Sequence, residues 1–210
     1  IALALRRDGR VAGALYLVVV LTGMFCLVWV PSQLGTGAAG AVAQVGVFRA
    51  GIAAFLLMQI AFLLLPLAMY RVLGDINRYA AAAMVALATV SVPIGLVTLS
   101  HRLEALVLLE SIGQHPPASV DAAFQLSLQR YGHGMFIAKL FWGLWLLPFG
   151  WLVLRSGRLP RVLGLLLLLG GVGYVLQVFG GLLPGFANSS LSNYATLPAA
   201  LGEIGSCLWL

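Results

Sequence analysis

Residues 11–30 run for five turns of helix without a charged side chain. At a rise of about 1.5 Å per residue they span about 30 Å, the thickness of a bilayer's hydrocarbon core. Comparable stretches recur along the chain. Residues 79–101 carry no Lys, Arg, Asp or Glu, while 48–70, 131–154 and 161–184 carry only Arg49, Lys139 and Arg161 respectively. A soluble fold of 210 residues could not bury so much apolar surface, so lipid is the solvent that suits this chain. Only 9% of the residues are charged, against roughly 25% in ordinary soluble domains.

These runs predict an all-α integral membrane bundle of about six transmembrane helices, forming a single transmembrane domain over residues 1–210. The spans fall near 11–30, 48–70, 79–101, 131–154, 161–184 and 195–210. Since the sequence opens on Ile1 and stops at Leu210 inside an apolar run, the natural chain is expected to extend past both ends, with the sixth span truncated. Arg6, Arg7 and Arg10 precede the first span as they would in a signal peptide. The run that follows is longer than a signal h-region, which favours a retained helix.

Between the spans, Pro31 is expected to end the first helix, and residues 32–46 read as a Gly/Ala-rich loop. Residues 74–78 make a turn short enough to force antiparallel neighbours. Residues 102–112 keep helical periodicity beyond the third span, and 113–117 break it. Ser119 and Asp121 suit the start of a new helix. Its first part, 119–130, is amphipathic and reads as an interfacial helix before the fourth span. Residues 155–160 form a basic turn, and a polar, uncharged loop leads to Tyr194.

The net charge of +6 is explained by topology. Arg6, Arg7, Arg10, Arg71, Arg78, Arg155, Arg158 and Arg161 all fall on one side of this arrangement, eight of the twelve basic residues. The positive-inside rule then places both termini in the cytoplasm. There is no basic stripe interleaved with aromatics, which argues against nucleic acid as a partner.

One stretch resembles a known family. It contains Tyr131-Gly132, Phe141-Trp142-Gly143-Leu144-Trp145-Leu146-Leu147-Pro148-Phe149-Gly150 and the turn Arg155-Ser156-Gly157-Arg158-Leu159-Pro160-Arg161, and closes on Gly171-Val172-Gly173-Tyr174. Arg10-Val11-Ala12-Gly13-Ala14-Leu15-Tyr16-Leu17, Phe48-Arg49-Ala50-Gly51 and Gly202-Glu203 agree with it. Together they resemble the bacterial membrane family catalogued as domain of unknown function 4386. The third helix departs from the pattern by lacking a basic residue early in its length. The resemblance implies a multi-pass fold in a bacterial inner membrane and brings no activity with it.

Polar side chains inside spans are costly and often mark function. Gln59, Lys139, Gln177 and Glu203 stand out. Counted inward from the span ends, Lys139 and Glu203 lie about 12 Å deep and Gln177 about 10 Å. A lone Lys or Glu there would be expensive, so Lys139 and Glu203 are expected to pair, with Gln177 adding a hydrogen bond. Arg49, His101 and His133 lie toward the outer mouth. Together these seven residues define an expected outward-opening pocket for a small molecule or lipid. A pair that only sets helix register, or a Lys139 that snorkels to the interface, is the structural alternative.

No metal or cofactor is expected. His101 and Glu104 share i, i+3 spacing, but no second such pair exists. Gly170-Gly171-Val172-Gly173 lacks the third glycine of a dinucleotide fingerprint, and Gly181-x-x-x-Gly185 suits close helix contact. Cys26 and Cys207 read as packing residues. With no GxSxG, HExxH or Walker motif, two readings remain: a ligand- or lipid-handling membrane protein, such as an enzyme or carrier, and an accessory subunit packed against other membrane protein subunits.

Overall fold

The computed structural model describes residues 2–112, 117–184 and 194–210, which are all-α without a strand. Helix α1 runs over Ala2–Gly23, passes through a π-helical turn at Met24–Trp29 and resumes as Val30–Gln33. The expected stop at Pro31 therefore does not occur. Pro31 lacks the N–H that would bond one turn back, and its ring crowds the carbonyl there. The chain accommodates this by widening the turn before it, with the Val30 N–H donating to the Phe25 carbonyl five residues earlier.

The stretch expected to be a loop contains α2, Gly37–Ala43. Then follow α3 (Val45–Leu73), α4 (Arg78–Glu110), α5 (Pro117–Ser156), α6 (Arg161–Gly181) and α7 (Leu197–Trp209). Five helices, α1 and α3 to α6, are long and apolar enough to cross a membrane; the thirteen residues of α7 are not. Residues 113–116, with His115, and 185–193, with the polar loop and Gly185, lie outside the described residues.

The chain divides into two compact units. The first, here the Trp145 unit, comprises Ile1–Leu17, Ala61–Val92 and Phe136–Leu210. Its core is aromatic. Trp145 stacks on Phe149 at 5.3 Å between centroids, takes the edge of Phe62 at 5.2 Å, and neighbours the buried Tyr16 at 6.4 Å. Helix α6 is a glycine-rich plank between two neighbours. Gly171 and Gly164 lie against Gly143 and Gly150 of α5, while Gly170 meets the Ala199 backbone of α7 and Gly202 of α7 meets Leu167. A Cβ at any of these positions would fall within about 3 Å of the facing helix, so the glycines set the interhelical distance.

The turn before α6 is tightly specified. The hydroxyl of Ser156 donates to the Val153 carbonyl at 3.0 Å and accepts from the Arg158 N–H at 3.1 Å. Gly157 ends α5 with φ +63, a left-handed cap that glycine adopts without steric cost. Arg158 then donates to Asp75 at 2.7 Å and to the Val72 carbonyl, joining this turn to the one between α3 and α4. Asn77 caps α4 by accepting from the Tyr79 and Ala80 N–H groups.

The second, the Arg102 unit, comprises Val18–Ile60 and Pro93–Met135. Val120, Phe124, Ser127, Tyr131 and Met135 recur every three or four residues on α5 and are buried. The segment expected to be the interfacial first part of this helix forms the opening turns of the continuous 40-residue α5. Its amphipathic pattern serves protein packing: Phe124 lies against Phe48 and Tyr131 against Phe55. Asp121, expected to serve its own helix start, instead accepts the Ala38 N–H of α2 at 2.7 Å. Gly37, with φ +70, has room only for a hydrogen beside that carboxylate.

Candidate functional site

The seven polar residues singled out from sequence divide between the units. Lys139, Gln177 and Glu203 belong to the Trp145 unit, and Arg49, Gln59, His101 and His133 to the Arg102 unit. The expected Lys139–Glu203 ion pair does not form. Glu203 instead accepts a hydrogen bond from the Tyr16 hydroxyl at 3.3 Å. Equal depth on two helices does not make a pair when helix rotation turns the side chains to different neighbours, and depth was all that span boundaries offered.

In the Arg102 unit Arg49 forms an exposed ion pair with Glu110 at 2.6 Å. His101 Nδ1 lies 3.1 Å from Glu104, as their i, i+3 spacing suggests. Gln59 is buried against Gly95, where a Cβ would collide with its amide. His133 is exposed. Among the described residues no three His, Cys, Asp or Glu side chains gather as metal ligands would.

The residue that sequence reasoning missed is Arg102. By sequence it is simply one of the four basic residues outside the eight assigned to the cytoplasmic side. Its side chain is 6% exposed, and its guanidinium lies 4.3 Å from the ring centre of Tyr131 and 5.7 Å from that of Phe48. Such cation–π contacts contribute about 0.5–2 kcal/mol each, but they use the ring faces and supply no hydrogen-bond acceptor for the N–H groups. The Nε and Nη1 atoms are buried with no acceptor among the described residues. Arg102 also forms part of the wall of a cavity of about 460 Å³ together with Thr36, Gln125 and Tyr131 and the apolar Leu34 and Leu128. That volume is in the range of small-molecule sites.

A signal for this was present in sequence. Arg102 sits in α4 among apolar residues at helical spacing, with Leu99 and Ala105 buried on the same face. A cation on the buried stripe of a membrane helix has the same standing as Lys139.

Outside the apolar helices, Asp75 is held below the ordinary carboxylate range by its hydrogen bond to Arg158, whose own value is raised by the same contact. Both groups lie in turns and are partly exposed, so the pair is a modest clasp.

An all-α protein with five helices fit to cross a membrane, and with a buried arginine in the wall of a cavity, belongs to the class of membrane helical bundles. Within that class, the family described as Domain of unknown function (DUF4386) matches residues 11–210, and the chain belongs to it. No curated protein and no solved structure matches it. The Arg-Ser-Gly-Arg-Leu-Pro-Arg turn that carried the resemblance is the turn in which Gly157 and Arg158 have the special geometry described above.

Proposed function

We propose that this chain is a multi-pass protein of a bacterial inner membrane, with six spans if α7 is counted and both ends cytoplasmic, and that it binds a small molecule or lipid in the cavity of the Arg102 unit. The clasp between Arg158 and Asp75 favours this orientation, because it draws two arginine-bearing turns to one side. The close antiparallel run of α7 along α6, Leu163 against Gly205 through Gly170 against Ala199, favours counting α7 as a span. None of the eight arginines counted for the cytoplasmic side belongs to the Arg102 unit, which favours an outer-side cavity.

One observation carries the ligand-binding reading: a buried cation with unpartnered N–H groups in the wall of a cavity. Arg49, Gln59, His101 and His133 of the same unit are not among the residues that line the cavity and remain in the proposal only as further polar groups of the unit. Lys139, Gln177 and Glu203 remain in it as a second polar set, in which Glu203 is able to exchange a proton with its surroundings.

Purification of the full chain in mild detergent, followed by native mass spectrometry, tests the reading. The expected result is a bundle carrying a stoichiometric small molecule or lipid. A defined complex with other membrane subunits and no bound ligand would contradict it and favour the accessory-subunit role.

A further inference from the structure

Resting on the reading of that cavity as a ligand site, the geometry points to the chemical class of the ligand: a carboxylate or phosphate group on an apolar body, held by the Arg102 guanidinium. Charge balance within the unit is the first reason. Its sequence contains three acidic residues, Glu104, Glu110 and Asp121, and each is engaged elsewhere. Glu110 takes Arg49, Glu104 meets His101, and Asp121 takes the Ala38 N–H. Among the described residues Arg102 forms no ion pair.

Geometry is the second reason. Tyr131 and Phe48 lie against the guanidinium and offer no in-plane acceptor, and Nε and Nη1 are buried without one, so the charge is left for a partner in the cavity to balance. A planar guanidinium in the cavity wall suits the oxygens of a carboxylate or phosphate. A neutral carbonyl could satisfy one N–H but would leave the buried charge unbalanced. Pro31, Leu34, Phe124 and Leu128 supply an apolar wall that suits a hydrocarbon body, and Thr36 and Gln125 offer further hydrogen bonds.

A lipid head group and a free organic anion share this chemistry, and the test separates them. The full chain in neutral detergent is titrated with octyl phosphate and, as the uncharged control, with octanol. One-site binding of octyl phosphate is expected, weakened about tenfold or more in Arg102→Met and partly retained in Arg102→Lys. Arg130→Met, at an exposed position of α5, should bind as the parent does. Should Arg102→Met fail to fold, Leu128→Trp fills the cavity while keeping the arginine, and it too should lose binding.

In nanodiscs at about 1 M salt, which screens the repulsion between the anionic surface and the probe, weaker apparent binding in phosphatidylglycerol than in phosphatidylcholine identifies a lipid head group as the occupant; equal binding identifies a soluble anion. Equal affinity for octyl phosphate in parent and Arg102→Met overturns the proposal. If octanol binds at one site that Leu128→Trp removes while octyl phosphate does not bind, the anion class fails and the cavity reading stands. If neither probe binds, both fail.

Discussion

In the Trp145 unit the helices touch through glycine, the aromatic core is stacked ring on ring, and the two charged groups Glu203 and Arg158 find protein partners: Glu203 takes Tyr16, and Arg158 takes Asp75 and a backbone carbonyl. In the Arg102 unit a cavity of about 460 Å³ lies beside a guanidinium that no carboxylate of the unit reaches. A close-packed region suits a framework, whereas a region with space and a buried cation that has no carboxylate partner suits the ligand site proposed above. The difference is one of packing and pairing, since both units are made of the same kinds of apolar helix.

Substitutions should separate the two regions most clearly through packing. Gly170→Leu, which places a side chain where the Ala199 backbone of α7 lies, is expected to cost about 3 kcal/mol or more in reversible unfolding in bicelles. Leu128→Trp, at the cavity wall of the other unit, is expected to cost under about 1 kcal/mol in the same assay. Similar costs for both would erase the contrast.

Next in size is the arginine itself. Desolvating an unpaired guanidinium costs several kcal/mol, and the contacts with Tyr131 and Phe48 return part of it. Arg102→Met without ligand is therefore expected to be about 1 kcal/mol more stable than the parent, a sign opposite to that of most buried substitutions.

Tyr16→Phe removes the hydrogen bond to Glu203 and is expected to cost about 1 kcal/mol. Because Lys139 and Glu203 form no ion pair, the effects of Lys139→Met and Glu203→Gln should add to within about 0.5 kcal/mol. A double mutant that recovers stability would restore the pair expected from depth.

The smallest effect concerns Asp75, whose folded pKa is depressed by Arg158. Its contribution is present above the unfolded value near 3.9 and is lost as pH falls through the lower folded value. Both partners are partly exposed, so Asp75→Asn is expected to cost about 0.5 kcal/mol or less at neutral pH and to flatten the acid limb of the stability curve.

Most of the architecture was legible in the residues, because apolar runs of bilayer length leave few alternatives to helices. The turn at Gly157 was legible too, as a basic Ser-Gly-x-x-Pro signal. What could not be read was rotation about each helix. Depth along a helix follows from counting, but which neighbour a side chain meets follows from packing, so Lys139 and Glu203 were expected together and are not paired. For the same reason 119–130 looked like a helix for the membrane surface when its apolar face is packed within the protein. Arg102 escaped notice because a cation near a span end reads as an interfacial charge, and only burial distinguishes it. Pro31 misled for a different reason: its missing bond is absorbed by a π-turn instead of ending the helix.

On this proposal Arg102 is a cost to the free protein that an anion relieves. Thermal unfolding of the parent and of Arg102→Met, each in neutral detergent with and without octyl phosphate, tests this directly. Without the anion, Arg102→Met should unfold at the higher temperature; with it, the parent should gain and overtake a variant that does not respond. A variant that is less stable without the anion, together with a parent that the anion leaves unmoved, would contradict the account and make Arg102 a structural residue held by its two aromatic neighbours.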